Sequence, residues 1–175
     1  GPIRRELGIR TLFNQLGPLA NPAGADVQLI GVYDAALMAP MAEALSLLGV
    51  RKALVVHGQD GLDEISPCGP TSFELVEGGA RSQGELHPAD FGLDALEPAV
   101  LEPGGDLQES AAILREAISD AESPRCRAVI PGAAAAIWLA GLAGDFREAA
   151  RMAVESVRSG AALVKLERLV EATAE

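Results

Sequence analysis

Apolar positions in this chain fall into two kinds of pattern. Lys52-Ala-Leu-Val-Val-His57 is a short block of aliphatic residues stopped by Gly58, which is how a strand buried on both faces of a parallel sheet reads. Residues 27 to 33, Val-Gln-Leu-Ile-Gly-Val-Tyr, form a second such block. Between the two, Leu37, Met41, Leu45 and Leu48 recur at intervals of four, four and three, a helical stripe. Asp34 can cap that helix, Pro40 must sit at a kink or at its first turn, and Gly49 closes it. Strand, helix and strand predict a right-handed βαβ unit that delivers the loop after the second strand beside the end of the first. Met38 and Met41 read as core filler.

The pattern changes after Pro67. Phe73 and Leu75, followed by Glu77-Gly-Gly79 and polar residues to Leu86, predict an antiparallel hairpin with a Gly-Gly turn. Residues 87 to 105 read as a long loop rich in Pro and Gly, and its Asp90-Phe-Gly92 stands alone without the rest of a kinase signature. Asp106 with Glu109 makes a capping box for a helix to about residue 120, striped by Leu107, Ala111, Leu114 and Ile118. From Arg125 to Leu142 two patterns compete: a short strand at 126 to 130 before a helix, or one helix interrupted at Pro131-Gly132. Trp138 reads as a core aromatic. Beyond Asp145 come two helices split at Gly160, one along Phe146, Ala149, Ala153 and Val157, the other along Leu163, Leu166 and Val170. At the other end, Ile9, Leu12, Phe13 and Leu16 mark a helical face in residues 1 to 16, which Gly17-Pro18 should end, leaving 17 to 26 as loop. The prediction is an α/β fold, a mostly parallel sheet flanked by helices with an antiparallel hairpin.

Composition narrows the possibilities. With 175 residues, 49% hydrophobic and 22% charged, the chain can bury the core of one domain. A net charge of −11 argues against nucleic acid or an anionic membrane as partner, because both require a basic surface. Cys68 and Cys126 form no CxxC pair and read as reduced structural thiols. No apolar run reaches the roughly 18 residues of a membrane span, and the expected location is cytoplasmic. The opening Gly1-Pro-Ile3 lacks an initiator Met and is read as the start of a fragment.

The candidate chemistry sits in Asp60-Gly-Leu-Asp-Glu-Ile-Ser66, directly after the apolar strand. Two adjacent carboxylates, Asp63 and Glu64, repel each other unless a positive charge lies beside them. Mg2+ suits such a pair, since it takes hard oxygen ligands and is commonly held by one or two carboxylates together with substrate phosphates. Two solvated surface acids are the other reading of the same dipeptide. Arg4, Arg5 and Arg10 read either as a solvated helix face or as a clamp for a carboxylate or phosphate.

Two long stretches carry a resemblance. Arg4-Arg-Glu-Leu-Gly-Ile-Arg-Thr-Leu-Phe-Asn-Gln-Leu-Gly-Pro-Leu-Ala-Asn-Pro22 and Val56-His-Gly-Gln-Asp-Gly-Leu-Asp-Glu-Ile-Ser66 resemble the carboxyl-terminal half of the anthranilate phosphoribosyltransferase family. Gly31-Val-Tyr-Asp34, Asp90-Phe-Gly92, Gly104-Gly-Asp106, the Ala-rich segment before Trp138 and Ser159-Gly-Ala-Ala-Leu-Val-Lys165 extend the likeness over the whole chain. The resemblance implies the carboxyl-terminal part of a nucleoside phosphorylase/phosphoribosyltransferase catalytic domain. It also implies transfer of phosphoribosyl from phosphoribosyl pyrophosphate to anthranilate, with release of pyrophosphate, in tryptophan biosynthesis. By the same resemblance Asp63 and Glu64 bind Mg2+, Arg4 holds the anthranilate carboxylate, and Gly17-Pro18 form the wall against which the ring lies; no catalytic base is expected.

The chain departs from the family pattern at Pro131-Gly132, where an Asn is expected. The family's glycine-rich phosphate loop, its anthranilate-contacting basic stretch and its small helical dimerisation domain all precede the point where this sequence begins. The expected partners are therefore an amino-terminal half and, when complete, a second copy in a homodimer. Two alternatives share the fold. A pyrimidine nucleoside phosphorylase is disfavoured by the Asp-Glu pair and by Leu16-Gly-Pro-Leu-Ala-Asn-Pro22. A nucleic-acid-binding relative without transferase activity would need a basic groove, against the overall charge.

Overall fold

Strand β2, Lys52–Gly58, is buried on both faces and divides the molecule into layers. The computed structural model describes residues 13–174, with side chains from Leu16 onward. Arg4, Arg5, Arg10 and the apolar positions Ile9 and Leu12 lie outside the described residues. Strand β1, Val27–Gly31, pairs with β2 in parallel, and β3, Thr71–Glu77, and β4, Ala80–Leu86, follow as an antiparallel hairpin. The sheet runs in the order β1-β2-β3-β4. The α/β class and the hairpin agree with the sequence pattern, and among the described residues the sheet is mixed, with β1–β2 as its parallel pair.

Alternation along β2 separates two cores. Ala53 and Val55 face the same side as Ile30, Val32 and Val76, against Met38, Met41, Ala42 and Leu45 of helix α2, Met38–Leu47. Leu54 and Val56 face the other side, against Cys126, Ile130, Ala134 and Leu139 of helix α4, Pro124–Leu139, and Ala149, Ala153 and Val157 of helix α5, Phe146–Arg158. Small Ala side chains let α4 and α5 approach each other closely. Met38 and Met41 are core residues as expected, but Leu48 is 60% exposed. It is the C-cap of α2, beyond the last turn that rests on the sheet.

Local signals set most boundaries. Asp34 Oδ1 accepts from Ala36 N at 3.0 Å, opening the single turn that leads into α2. Gly78 and Gly79, at φ +57° and +83°, make the two-residue turn between Glu77 and Ala80, a conformation that glycine adopts without a Cβ penalty. Residues 87–105 are not one loop: short 3-10 turns occupy Pro88–Phe91 and Pro98–Leu101, and Asp90 caps the first by accepting from His87 N at 2.7 Å. Helix α3, Leu107–Ser119, is capped by Asp106, whose Oδ1 accepts from Glu109 N at 2.8 Å, while Glu109 returns to Gly105 N.

Three expectations are corrected. Helix α1, Phe13–Leu19, runs through Gly17-Pro18 instead of ending there. A proline's fixed φ is helical, and the turn still closes through Ala20 N to Leu16 O at 2.9 Å. Helix α3 is rotated relative to the expected stripe: Ala117 is buried and Ile118 of that stripe is half-buried, whereas Leu107 is 89% and Leu114 50% exposed and Ala111 is exposed too. The inward face is the neighbouring stripe that includes Ile113 and Ala117, because α3 packs on α4 and on helix α6, Ala161–Thr173, and not on the sheet. In α6, Leu163 and Leu166 are half-buried, but Val170 is exposed. The open choice at Pro131-Gly132 resolves to a single helix, with Pro131 inside α4. Trp138, half-buried on the same helix, packs on Phe146 at 4.7 Å between centroids, with Lys52 Nζ 3.8 Å from its ring centre.

Candidate metal centre

The loop after β2 is short, folded on itself and pinned at its far end. Gly58 N donates to Leu62 O at 2.8 Å and Gly61 N to Gly58 O at 2.9 Å, with Gly61 at φ +93°. Asp60 points back into the loop, and its Oδ1 accepts from Leu62 N at 3.2 Å. Its Oδ2 accepts from Ser66 Oγ at 2.6 Å, and that hydroxyl in turn accepts from Cys68 N and Gly69 N. Ser66 N donates to Thr71 Oγ1 at 2.8 Å, and both residues are fully buried. Ile65, 3% exposed, joins the core against Leu54 and Val56. Asp63 and Glu64 thus stand immediately before a residue that cannot move without opening the core.

Both acidic side chains are exposed. Neither has an ion-pair partner among the described residues. Glu64 nevertheless lies close against α4: a Cβ added to Gly132 would come 3.9 Å from Glu64 Oε2. Desolvation there, and then the charge of Asp63, push the Glu64 carboxyl above the ordinary carboxylate range. Of the Pro131-Gly132 stretch, where the resemblance leads one to expect an Asn, Gly132 therefore falls beside the acidic pair.

An uncompensated pair of carboxylates, one of them destabilised in its charged form, is a donor set that fits a hard divalent cation. Among the described residues no cluster of three or more His, Cys, Asp or Glu could hold a metal. The protein side of this loop offers a pair of acids, which suits Mg2+ that keeps waters and phosphate oxygens in its remaining positions.

Gly17 and Pro18 sit elsewhere. Pro18 lines a cavity of about 230 Å3 with Asp26 and Gln28 at the start of β1, while the Asp63 carbonyl lies against Gly31 at its end. Strand rise separates the two ends of a five-residue strand by about 13 Å. Gly17 is exposed, and a Cβ there would meet nothing within 4 Å. Arg4 lies outside the described residues. Asp60, Ser66 and Gly31 were not singled out from the sequence. The first two flank the acidic pair within one motif, a spacing that signals a self-bonded loop, whereas Gly31 carries no local signal.

Cys68 and Cys126 are free thiols, and burial raises both above the usual thiol range. No helix of the described residues is long and apolar enough to cross a membrane.

Known proteins resemble this chain along nearly its whole length. An anthranilate phosphoribosyltransferase of Desulfatibacillum aliphaticivorans is 49% identical over 175 residues, 99% of this chain and 51% of that protein. One from Rubrobacter xylanophilus is 51% identical over 97% of this chain and 49% of its own length. The chain spans about half the length of the curated relatives it matches. The Saccharomyces cerevisiae anthranilate phosphoribosyltransferase, solved in complex with PRPP and Mg, superposes at a TM-score of 0.84 with 31% identity, covering 97% of this chain and 49% of that one. Residues 1–163 match the glycosyl transferase family, a/b domain. That span takes in the whole sheet, the acidic loop and helices on both of its faces, and so the chain belongs to the glycosyl transferase family, of which it carries the a/b domain.

Proposed function

We propose that this chain is the a/b portion of an anthranilate phosphoribosyltransferase, a cytoplasmic enzyme that joins anthranilate to the phosphoribosyl group of PRPP. The observation that carries the reading is the acidic pair Asp63-Glu64, held at the carboxyl end of β2 with no cationic partner among the described residues. Ligands of open α/β sheets bind at that end of the strands. Relatives identical to this chain at about half of the aligned positions bear the transferase name, and the yeast enzyme with the same fold was solved in complex with PRPP and Mg.

In this reading the amine nitrogen of anthranilate attacks the anomeric carbon, the bond from that carbon to the pyrophosphate oxygen breaks, and the amine sheds a proton to water. Asp63 and Glu64 would hold Mg2+. Bound there, Mg2+ supplies charge neutralisation of the leaving group without a proton donor. Arg4 holds the acceptor carboxylate through its planar fork. The phosphate cradle, and with it the second half of the site, comes from an upstream segment, and the assembled enzyme is a homodimer.

The test is anthranilate consumption followed by fluorescence, with the chain joined to an upstream half from a relative. Asp63→Ala with Glu64→Ala should lower turnover and raise the Mg2+ requirement. Normal activity of the double variant at low Mg2+ would remove the metal role.

A further inference from the structure

Gly31 closes β1, and what lies against it is backbone. A Cβ at this position would fall 1.6 Å from the Asp63 carbonyl oxygen, 2.5 Å from its carbonyl carbon and 3.3 Å from Glu64 N. Gly31 is not in the left-handed region, so any residue could adopt its backbone conformation. Space alone excludes a side chain. The atoms in the way belong to the peptide that links the two acids, and unlike the tip of a side chain they cannot rotate aside.

The loop is fastened from its other side as well. Asp60 and Ser66 bracket the acidic pair and are joined at 2.6 Å, and Ser66 is 1% exposed. The Ser66 hydroxyl also accepts from the amides of Cys68 and Gly69, which ties the loop to the segment that enters β3.

The geometry points to Gly31, Asp60 and Ser66 as positioning residues for the acidic pair: the bare end of β1 is a seat for the Asp63–Glu64 peptide, and the Asp60–Ser66 bond holds the loop down on it. Adjacent carboxylates repel, and a slack loop would let them turn apart. Fixing them during folding removes that rearrangement from the binding step, which is how groups behind the ligands raise metal affinity. None of the three touches the cation in this arrangement. The inference rests on the metal reading of Asp63 and Glu64 given above.

The experiment compares the wild-type chain with Gly31→Ala, Ser66→Ala and, as a control, Gly69→Ala, where a Cβ meets nothing within 4 Å. Mn2+ binding in the presence of pyrophosphate is measured by electron paramagnetic resonance. Backbone hydrogen exchange over residues 59–66 is measured by mass spectrometry without metal. Gly31→Ala and Ser66→Ala are expected to weaken Mn2+ binding about tenfold or more and to speed exchange in that segment while the β2 core stays protected; Gly69→Ala changes neither. Unchanged exchange, or wild-type Mn2+ affinity, in a folded Gly31→Ala or Ser66→Ala protein overturns the assignment. Should Gly31→Ala fail to fold, Ser66→Ala decides alone. The metal reading has its own arm. If Asp63→Ala with Glu64→Ala binds Mn2+ as wild type does, that reading fails and takes this inference with it. If the double variant loses binding while the positioning variants keep it, only the positioning role falls.

Discussion

Glu64 is where the site's chemistry shows most directly in one residue. Its carboxyl is raised by desolvation and then by the Asp63 charge, so in the cation-free protein the ionised form weighs against folding. The folded state keeps the proton to a higher pH than the unfolded chain does. The resulting contribution to stability is complete below the unfolded carboxylate range and is lost as pH rises through the folded value. Glu64→Gln should therefore raise Tm over wild type at neutral pH in EDTA, and the gain should shrink as the pH is lowered into the carboxylate range. Thermal denaturation from about pH 4 to about pH 8 reads this directly. A gain independent of pH would mean that shape, not charge, sets the effect.

Helix α4 shows how an element can override its own sequence. Pro131 has no N–H to give to the Arg127 carbonyl, and proline in a helix interior costs about 3 kcal/mol relative to alanine. The helix survives because Cys126, Ile130, Ala134 and Leu139 are buried against the sheet. Packing of an amphipathic face, more than propensity, supplies most helical stability. Pro131→Ala is expected to raise stability by about 1–2 kcal/mol, since the restored hydrogen bond outweighs the small loss of buried contact, measured by urea denaturation. No gain would show that the proline ring itself fills a required space. At the start of α3 the sign is opposite. Asp106→Ala removes the acceptor for Glu109 N and should cost about 1 kcal/mol in the same measurement.

At the scale of the molecule, apolar surface is left open on one group of elements. Leu107 and Leu114 of α3 and Leu169 and Val170 of α6 are 89%, 50%, 60% and 51% exposed, and Leu142 is 66% exposed. β1 is hydrogen-bonded on one side within the described sheet, which leaves an edge able to pair. Open apolar surface of this kind marks an interface or an aggregation liability. The chain by itself should bind ANS and show no phosphoribosyl transfer. Adding an upstream half that carries a glycine-rich phosphate loop should lower ANS fluorescence and bring transfer together. Full turnover by the 175-residue chain on its own would mean that it holds a complete phosphate site.

What the sequence determined by itself is local. The unbroken aliphatic run that lets β2 bury both faces, the Gly78-Gly79 turn, the caps at Asp34 and Asp106 and the break at Gly160 each depend on residues a few positions apart, and each is legible there. The acidic pair was visible for the same reason, as a dipeptide after a buried strand. What the tertiary structure decided is which faces meet. Periodicity marks a stripe on α3 but not its rotation, because the helix turns to present Ile113 and Ala117 to α4 and α6. The fate of Pro131 depended on what packs around it. Gly31 and Asp63 are far apart along the chain, and only the parallel pairing of β1 with β2 presses one against the other. The same pairing sets Pro18 and the acidic loop at opposite ends of β1. No pattern within one element carries such a relation, since it arises when two strands align and exclude the space a Cβ would need.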